Sequence, residues 1–190
     1  MIKVGIPIFN DVEELDFTGP FEVMSYMNKI KPGSTEVFLV SQYGGDIRCF
    51  NGLKVMSDYS FESSPRCDVL IVPGEKGRIT EMKNETFLDY VKKMDNHTKF
   101  TASVCTGAFI LANAGLLSGR KATTYHTAFD ELKEYKVDVI KSKVVKDGKY
   151  VTGAGVSSGI DLGIFLLKVL FGAEAAQIVS RKIEYEVRRE

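Results

Sequence analysis

Residues 99–117 read KFTASVCTGAFILANAGLL. Phe100-Thr101-Ala102-Ser103-Val104 is a short β-favouring run that follows a charged segment. Gly107-Ala108-Phe109-Ile110-Leu111-Ala112 is apolar all round and rich in helix formers, which predicts a buried helix. Cys105 lies between the two without a spacer. The chain must therefore turn sharply at the cysteine, with Gly107 letting the backbone pass close by. That is the pattern of a nucleophile elbow carrying sulfur. Free N–H groups at a helix start favour negative charge, so this placement is expected to lower the thiol pKa. The competing reading, a buried structural cysteine, stays open on these residues alone.

Outward from this stretch, apolar runs and helical patterns alternate. Residues 2–9, 36–41 and 68–73 are apolar enough for central parallel strands. Residues 16–29 and 85–94 carry helical spacing, with Pro20 expected near the start of the first helix or at a kink. Two short β-like pieces, 47–50 and 53–56, flank Asn51-Gly52 and predict a hairpin. Beyond Leu117, a short strand is expected over 121–125 and a small helix over 128–135. A hairpin around Asp147-Gly148 is expected to join 137–145 to 150–152. An apolar helix over 157–171 follows, with Ser157 or Ser158 as its cap, and a last helix over 173–184. The order predicts one α/β domain spanning residues 1–190, a doubly wound, mostly parallel sheet flanked by helices. Ligands are expected at the carboxyl ends of its strands. Cys105, residues 11–16 and Gly74-Glu75 all fall at such ends.

Composition narrows the function classes. Twenty-five Lys and Arg balance twenty-five Asp and Glu over 190 residues, which removes the usual electrostatic case for nucleic acid or an anionic membrane. No run approaches the roughly 18 apolar residues of a membrane span, and the start shows no secretory cleavage pattern. Cys49, Cys67 and Cys105 lack metal-ligand spacing and are odd in number, so neither a zinc site nor a disulfide framework is expected. A cytoplasmic protein is expected.

Leu15-Asp16-Phe17-Thr18-Gly19-Pro20, Val72-Pro73-Gly74, Ser103-Val104-Cys105-Thr106-Gly107 and Ala122-Thr123-Thr124 occur in that order. Thr152-Gly153-Ala154-Gly155-Val156 and Gly159-Ile160-Asp161 follow them. Together these motifs resemble the ThiJ/PfpI superfamily, which is class I glutamine amidotransferase-like, over residues 1 to about 185. The pairing of L-D-x-T-G-P with V-C-T-G is most similar to isocyanide hydratases and to related domains fused to AraC-type regulators.

The resemblance implies a flavodoxin-like sandwich with Cys105 as nucleophile and Asp16 as the acid that approaches it. A carboxylate beside a thiolate repels it, so the two are expected to share a proton and titrate as a pair. A protonated Asp16 would serve as general acid; its other reading is a helix N-cap. Thr106 is the third catalytic candidate, its N–H lining an anion pocket with that of Gly107 or Glu75; otherwise it is a first-turn polar residue. Gly74, Glu75, Gly107, Gly155 and Val156 are the candidate substrate-binding positions.

Departures from the family pattern also carry expectations. Thr106 stands where protease-like branches carry histidine. Tyr125 displaces the histidine that often follows Ala-Thr-Thr, so His126 is either a site residue or a surface one. Glu75 replaces a glycine and is expected to be strained if its φ is positive; otherwise it is a solvated loop residue. His97 is expected to face solvent.

Three functions remain open. The first is a hydratase in which Cys105 forms a thioimidate with an isocyanide and water releases an N-formyl amide. The second is a cysteine amidase or hydrolase using Cys105 and His126. The third is a ligand or oxidation sensor, although no helix-turn-helix is expected after the last helix. The resemblance implies a small-molecule substrate, a homodimer, and no metal or organic cofactor.

Overall fold

The computed structural model describes residues 1–186. Seven strands form the main sheet: β1 (Ile2–Pro7), β2 (Thr35–Ser41), β5 (Tyr59–Ser60), β6 (Val69–Val72), β7 (Phe100–Val104), β10 (Val144–Asp147) and β11 (Tyr150–Gly153). Their order is β10-β11-β7-β6-β1-β2-β5, parallel throughout except for the antiparallel β10–β11 edge. The central strand β6 is a continuous apolar run because both its faces are covered; Val69, Leu70, Ile71 and Val72 are all fully buried.

Helices α1 (Glu14–Ile30), α6 (Ser158–Phe171) and α7 (Ala173–Lys182) pack on one another. The others are α2 (Arg78–Glu81), α3 (Glu85–Asp95), α4 (Ala108–Asn113) and α5 (Phe129–Lys133), with α4 packed against the other three. Two short pairs lie outside the main sheet: an antiparallel ribbon of β3 (Gly45–Arg48) with β4 (Lys54–Ser57), and β8 (Lys121–Ala122) parallel to β9 (Asp138–Val139).

From β1 the chain proceeds to one side through β2 and β5, then returns to β6 on the other side. The crevice at the carboxyl ends of β1 and β6 is thus the point where winding reverses, and loops there splay apart to leave room for a ligand. The segment entering α1 and the Pro73–Gly77 turn meet at this crevice, where Glu13 N–H donates to the Gly74 carbonyl at 3.2 Å and Gly77 N–H to that of Asp11 at 3.1 Å. The α1 end is clamped from the opposite side by glycines of α6. A Cβ on Gly159 would stand 2.9 Å from Pro20 Cδ and 3.3 Å from the Leu15 carbonyl oxygen, and one on Gly163 would stand 2.9 Å from Val23 Cβ. Small residues let the helices approach closely enough to fix the turn that carries Asp16.

Several expected elements take a different form. Asn51-Gly52 is part of a five-residue connection rather than a two-residue turn. Cys49 N–H donates to the Leu53 carbonyl, Phe50 N–H to that of Val12, and Asn51 N–H to the Glu14 carboxylate. These bonds pull the tip onto the start of α1 and override the local turn preference. The run 137–145 does not form one hairpin arm, because Asp138 and Val139 pair with Lys121 and Ala122 instead. The strand expected over 121–125 stops at Ala122, since Thr123 N–H is taken by Thr152 Oγ1 and Thr124 Oγ1 donates to the Cys105 carbonyl. Neither Ser157 nor Ser158 caps α6 with its side chain; Ser158 Oγ donates to the Gly155 carbonyl instead. The two-residue β5 and the one-turn α2 are too short to leave a periodic signal.

Candidate active site

Val104 ends β7, and the chain enters a 3₁₀ turn at Cys105–Gly107 before α4 begins. Cys105 has φ +55°, a left-handed conformation that costs a non-glycine residue ~1–2 kcal/mol. The surroundings over-determine it. Its carbonyl accepts from Thr124 Oγ1 at 2.9 Å. The next residues are jammed against the neighbouring β6 end: a Cβ on Gly107 would stand 2.2 Å from the Val72 carbonyl oxygen, and one on Gly74 would stand 2.5 Å from Gly107 N. Only glycine at both positions lets the two turns lie in contact. The elbow is therefore a strained turn held by its neighbours, the condition under which such strain persists.

Asp16 occupies the first turn of α1, yet it does not cap that helix; the cap position is Glu13. Its carboxylate leaves its own helix and accepts from Gly74 N–H through Oδ2 at 2.9 Å. The residue is 0% exposed, and Oδ1 has no hydrogen-bond partner. Burial, reinforced by the negative charges of Glu13 and Glu75, raises its pKa to about 8, partly offset by the Gly74 N–H and by interaction with the Cys105 side chain. Near neutral pH Asp16 is thus mainly a carboxylic acid with a proton to give.

Burial also pushes the Cys105 thiol up, and the Asp16 and Glu75 charges add to the effect. The Thr106 N–H and side chain work in the opposite direction. This corrects the expectation of a thiol lowered by its helix start: the turn is short, the site is buried, and the nearest charges are negative. Thiol and carboxyl form a coupled pair in which adding one negative charge disfavours the second.

The remaining candidates divide. Cys105, Thr106, Glu75 and Val156 line one cavity of about 480 Å³, together with Phe50, Lys76, Arg78, Ile79, Tyr125 and Thr127. Glu75 has φ +90°, the strained conformation anticipated for a non-glycine residue there. Its N–H donates to Thr106 Oγ1 at 2.8 Å and so is already occupied; of the anion-pocket donors expected, Thr106 N–H is the one directed at the sulfur. Gly74 and Gly107 shape the elbow rather than the cavity wall. Gly155 sits behind Tyr125, where an added Cβ would meet the ring at 3.4 Å.

His126 is exposed and off the cavity wall, with its ring 4.4 Å from that of Tyr125. His97 is exposed, as expected. Arg78, missed from sequence, forms a two-bond pair with Glu131 (both 2.9 Å) and lies 3.9 Å over the Phe109 ring. Phe50 and Arg78 leave no local signal, because a loop and a one-turn helix bring them in.

A parallel α/β sheet with a cysteine on a strained strand–helix elbow and a buried acid behind it defines the class of this protein. The chain belongs to the DJ-1/PfpI family, whose pattern matches residues 2–169. It is 34% identical to the isonitrile hydratase of Pseudomonas putida over 184 residues, covering 97% of this chain and 78% of that one. It is 30% identical over 153 residues to a deglycase of Pyrococcus horikoshii, covering 80% of this chain and 89% of that one. The crystal structure of a ThiJ/PfpI family protein from Pseudomonas syringae superposes with a TM-score of 0.91 at 25% identity, covering 99% of this chain and 76% of that one. Among the described residues, no helix is long and apolar enough to cross a membrane.

Proposed function

We propose that this protein hydrates an isocyanide to an N-formyl amide through a covalent bond to Cys105. The observation that carries the reading is the arrangement of Cys105 at the cavity with a wholly buried, proton-bearing Asp16 behind it and His126 turned to solvent. A reaction that needs one acid–base group and no imidazole matches this equipment, and the similarity to an isonitrile hydratase supports the same chemistry.

Of the pair's one-proton forms, the reactive one carries the proton on the Asp16 carboxyl and the charge on sulfur; it is the minority form, because burial pushes the thiol up. The thiolate attacks the terminal carbon of R–N≡C, and Asp16 delivers its proton to that carbon, giving the thioimidate Cys–S–CH=N–R. Water then adds to the same carbon while the Asp16 carboxylate takes its proton and passes it to nitrogen. As the C–S bond breaks, the hydroxyl proton returns to Asp16, releasing R–NH–CHO and the thiolate. Atoms balance as isocyanide plus water.

The test is steady-state conversion of cyclohexyl isocyanide to its formamide, with a substrate-sized mass increase on Cys105 when the reaction is quenched early. Turnover that persists in Cys105→Ser, or no turnover of alkyl and aryl isocyanides by folded protein, overturns the reading. A Cys–His hydrolase finds no support in the placement of His126.

A further inference from the structure

Beside Cys105 the cavity carries three acidic or basic side chains, Glu75, Lys76 and Arg78, and they are not equivalent. Arg78 is engaged twice by Glu131 and stacked on Phe109, so its charge is already matched. Lys76 is an exposed residue at the rim. Glu75 is half-buried and lines the cavity with Cys105, and its charge is felt at both the thiol and Asp16.

The Glu75 backbone is pinned at φ +90° from two sides, its N–H donating to Thr106 Oγ1 at 2.8 Å and its carbonyl accepting from Arg78 N–H at 3.1 Å. Such a φ strongly favours glycine, so a glutamate held there is strain retained at a reactive site. The pinning fixes the direction in which the side chain leaves the backbone, at the wall of the cavity it lines. A negative charge on the wall of the cavity that the sulfur borders acts on whatever approaches the sulfur.

We infer that Glu75 is a specificity-determining residue that turns anionic substrates away from Cys105 and admits neutral or cationic ones. The inference deepens the proposed hydration: isocyanides with neutral or basic substituents are the substrate class, and carboxylate-bearing ones are excluded. It rests on that reading only for the identity of the reacting group, not for the role of Glu75.

The test uses two methanethiosulfonate reagents of similar size, one trimethylammonium-bearing and one sulfonate-bearing. Their rates at Cys105 are followed by peptide mass spectrometry on native protein. The ratio of the two rates cancels the nucleophilicity of the sulfur and reads the charge at the approach. Wild type is expected to favour the cationic reagent, and Glu75→Gln to shrink that preference about tenfold. Added salt should shrink it in wild type and barely move it in the variant.

Glu75→Gly, which suits the positive φ, is expected to give the same loss of preference with a folded chain, which guards against a variant that fails to fold. Lys76→Met is expected to move the ratio far less. A ratio unmoved by both Glu75 variants, a wild-type preference for the anionic reagent, or a folded protein whose Cys105 neither reagent reaches overturns the inference. Failure of the hydratase reading is registered separately, by isocyanide turnover alone.

Discussion

Gly74 N–H donates to Asp16 Oδ2 at 2.9 Å and leaves Oδ1, fully buried, without a partner. One oxygen is thus held by the backbone of the β6 turn while the other is left for a proton and a reacting atom. The same contact ties α1 to the turn after β6, so the acid and the elbow are positioned by one piece of backbone. Asp16→Asn keeps an oxygen for Gly74 but has no transferable acidic proton, and is expected to lower kcat/KM for isocyanide hydration by about 10²-fold or more. Steady-state kinetics with matched circular dichroism spectra checks this.

The raised Asp16 pKa also predicts how stability responds to pH. Between the ordinary carboxyl value of 3.8 and about 8, the folded chain keeps a proton that the unfolded chain releases. The contribution of this group is therefore complete below 3.8 and is lost as pH rises through 8. Asp16→Asn removes that slope. The melting temperature of the variant should rise relative to that of wild type as pH increases from about 5 to about 8.5, by several degrees. Parallel curves across that range would remove the case for a protonated buried Asp16.

Alkylation should single out Cys105. Cys49 and Cys67 are buried and do not line the cavity; burial raises all three thiols, so access through the cavity, not ionisation, sets Cys105 apart. Cys105 is itself only 1% exposed, but its sulfur borders the cavity. Iodoacetamide is expected to label Cys105 first in native protein, at a rate that rises with pH because its thiol too is raised. At pH 9, Asp16→Asn should label faster than wild type, since a neighbouring negative charge has been removed. Peptide mass spectrometry over time measures both effects.

The elbow glycines should be far less tolerant than the glycine behind Tyr125. Gly107→Ala would place a methyl 2.2 Å from a backbone oxygen that cannot move aside, whereas Gly155→Ala meets an aromatic ring at 3.4 Å. The first is expected to destabilise the fold by about 1–3 kcal/mol and abolish Cys105 reactivity. The second should cost under about 0.5 kcal/mol. Urea unfolding together with thiol labelling distinguishes them.

His126→Ala should leave isocyanide kcat/KM within about twofold of wild type, because the ring is exposed and off the cavity wall. Tyr125→Ala, which removes part of that wall, should raise KM severalfold with a smaller change in kcat. A large kcat loss in His126→Ala would reopen the Cys–His hydrolase.

The alternation of apolar runs with helical spacing was enough to read the parallel sheet, because a strand covered on both faces carries a continuous apolar signature, as β6 does. Strand β7, which includes Thr101 and Ser103, was legible as a β-favouring run over the same residues it occupies. The abrupt junction at Cys105 was equally legible, since a sharp strand-to-helix turn is a demand of the local backbone, but what Gly107 passes close to, the Val72 carbonyl at the end of β6, is set by the fold. What the side chains do there was decided by contacts between distant segments. Asp16 keeps a second reading as a helix cap until Gly74, 58 residues away, takes its carboxylate. Asn51-Gly52 reads as a tight turn until Glu14 and Val12 draw its loop onto α1. The thiol pKa follows the same rule. A helix start favours an ionised sulfur, but burial and the carboxyl groups brought in from α1 and the β6 turn outweigh it, and both exist only once the chain has folded.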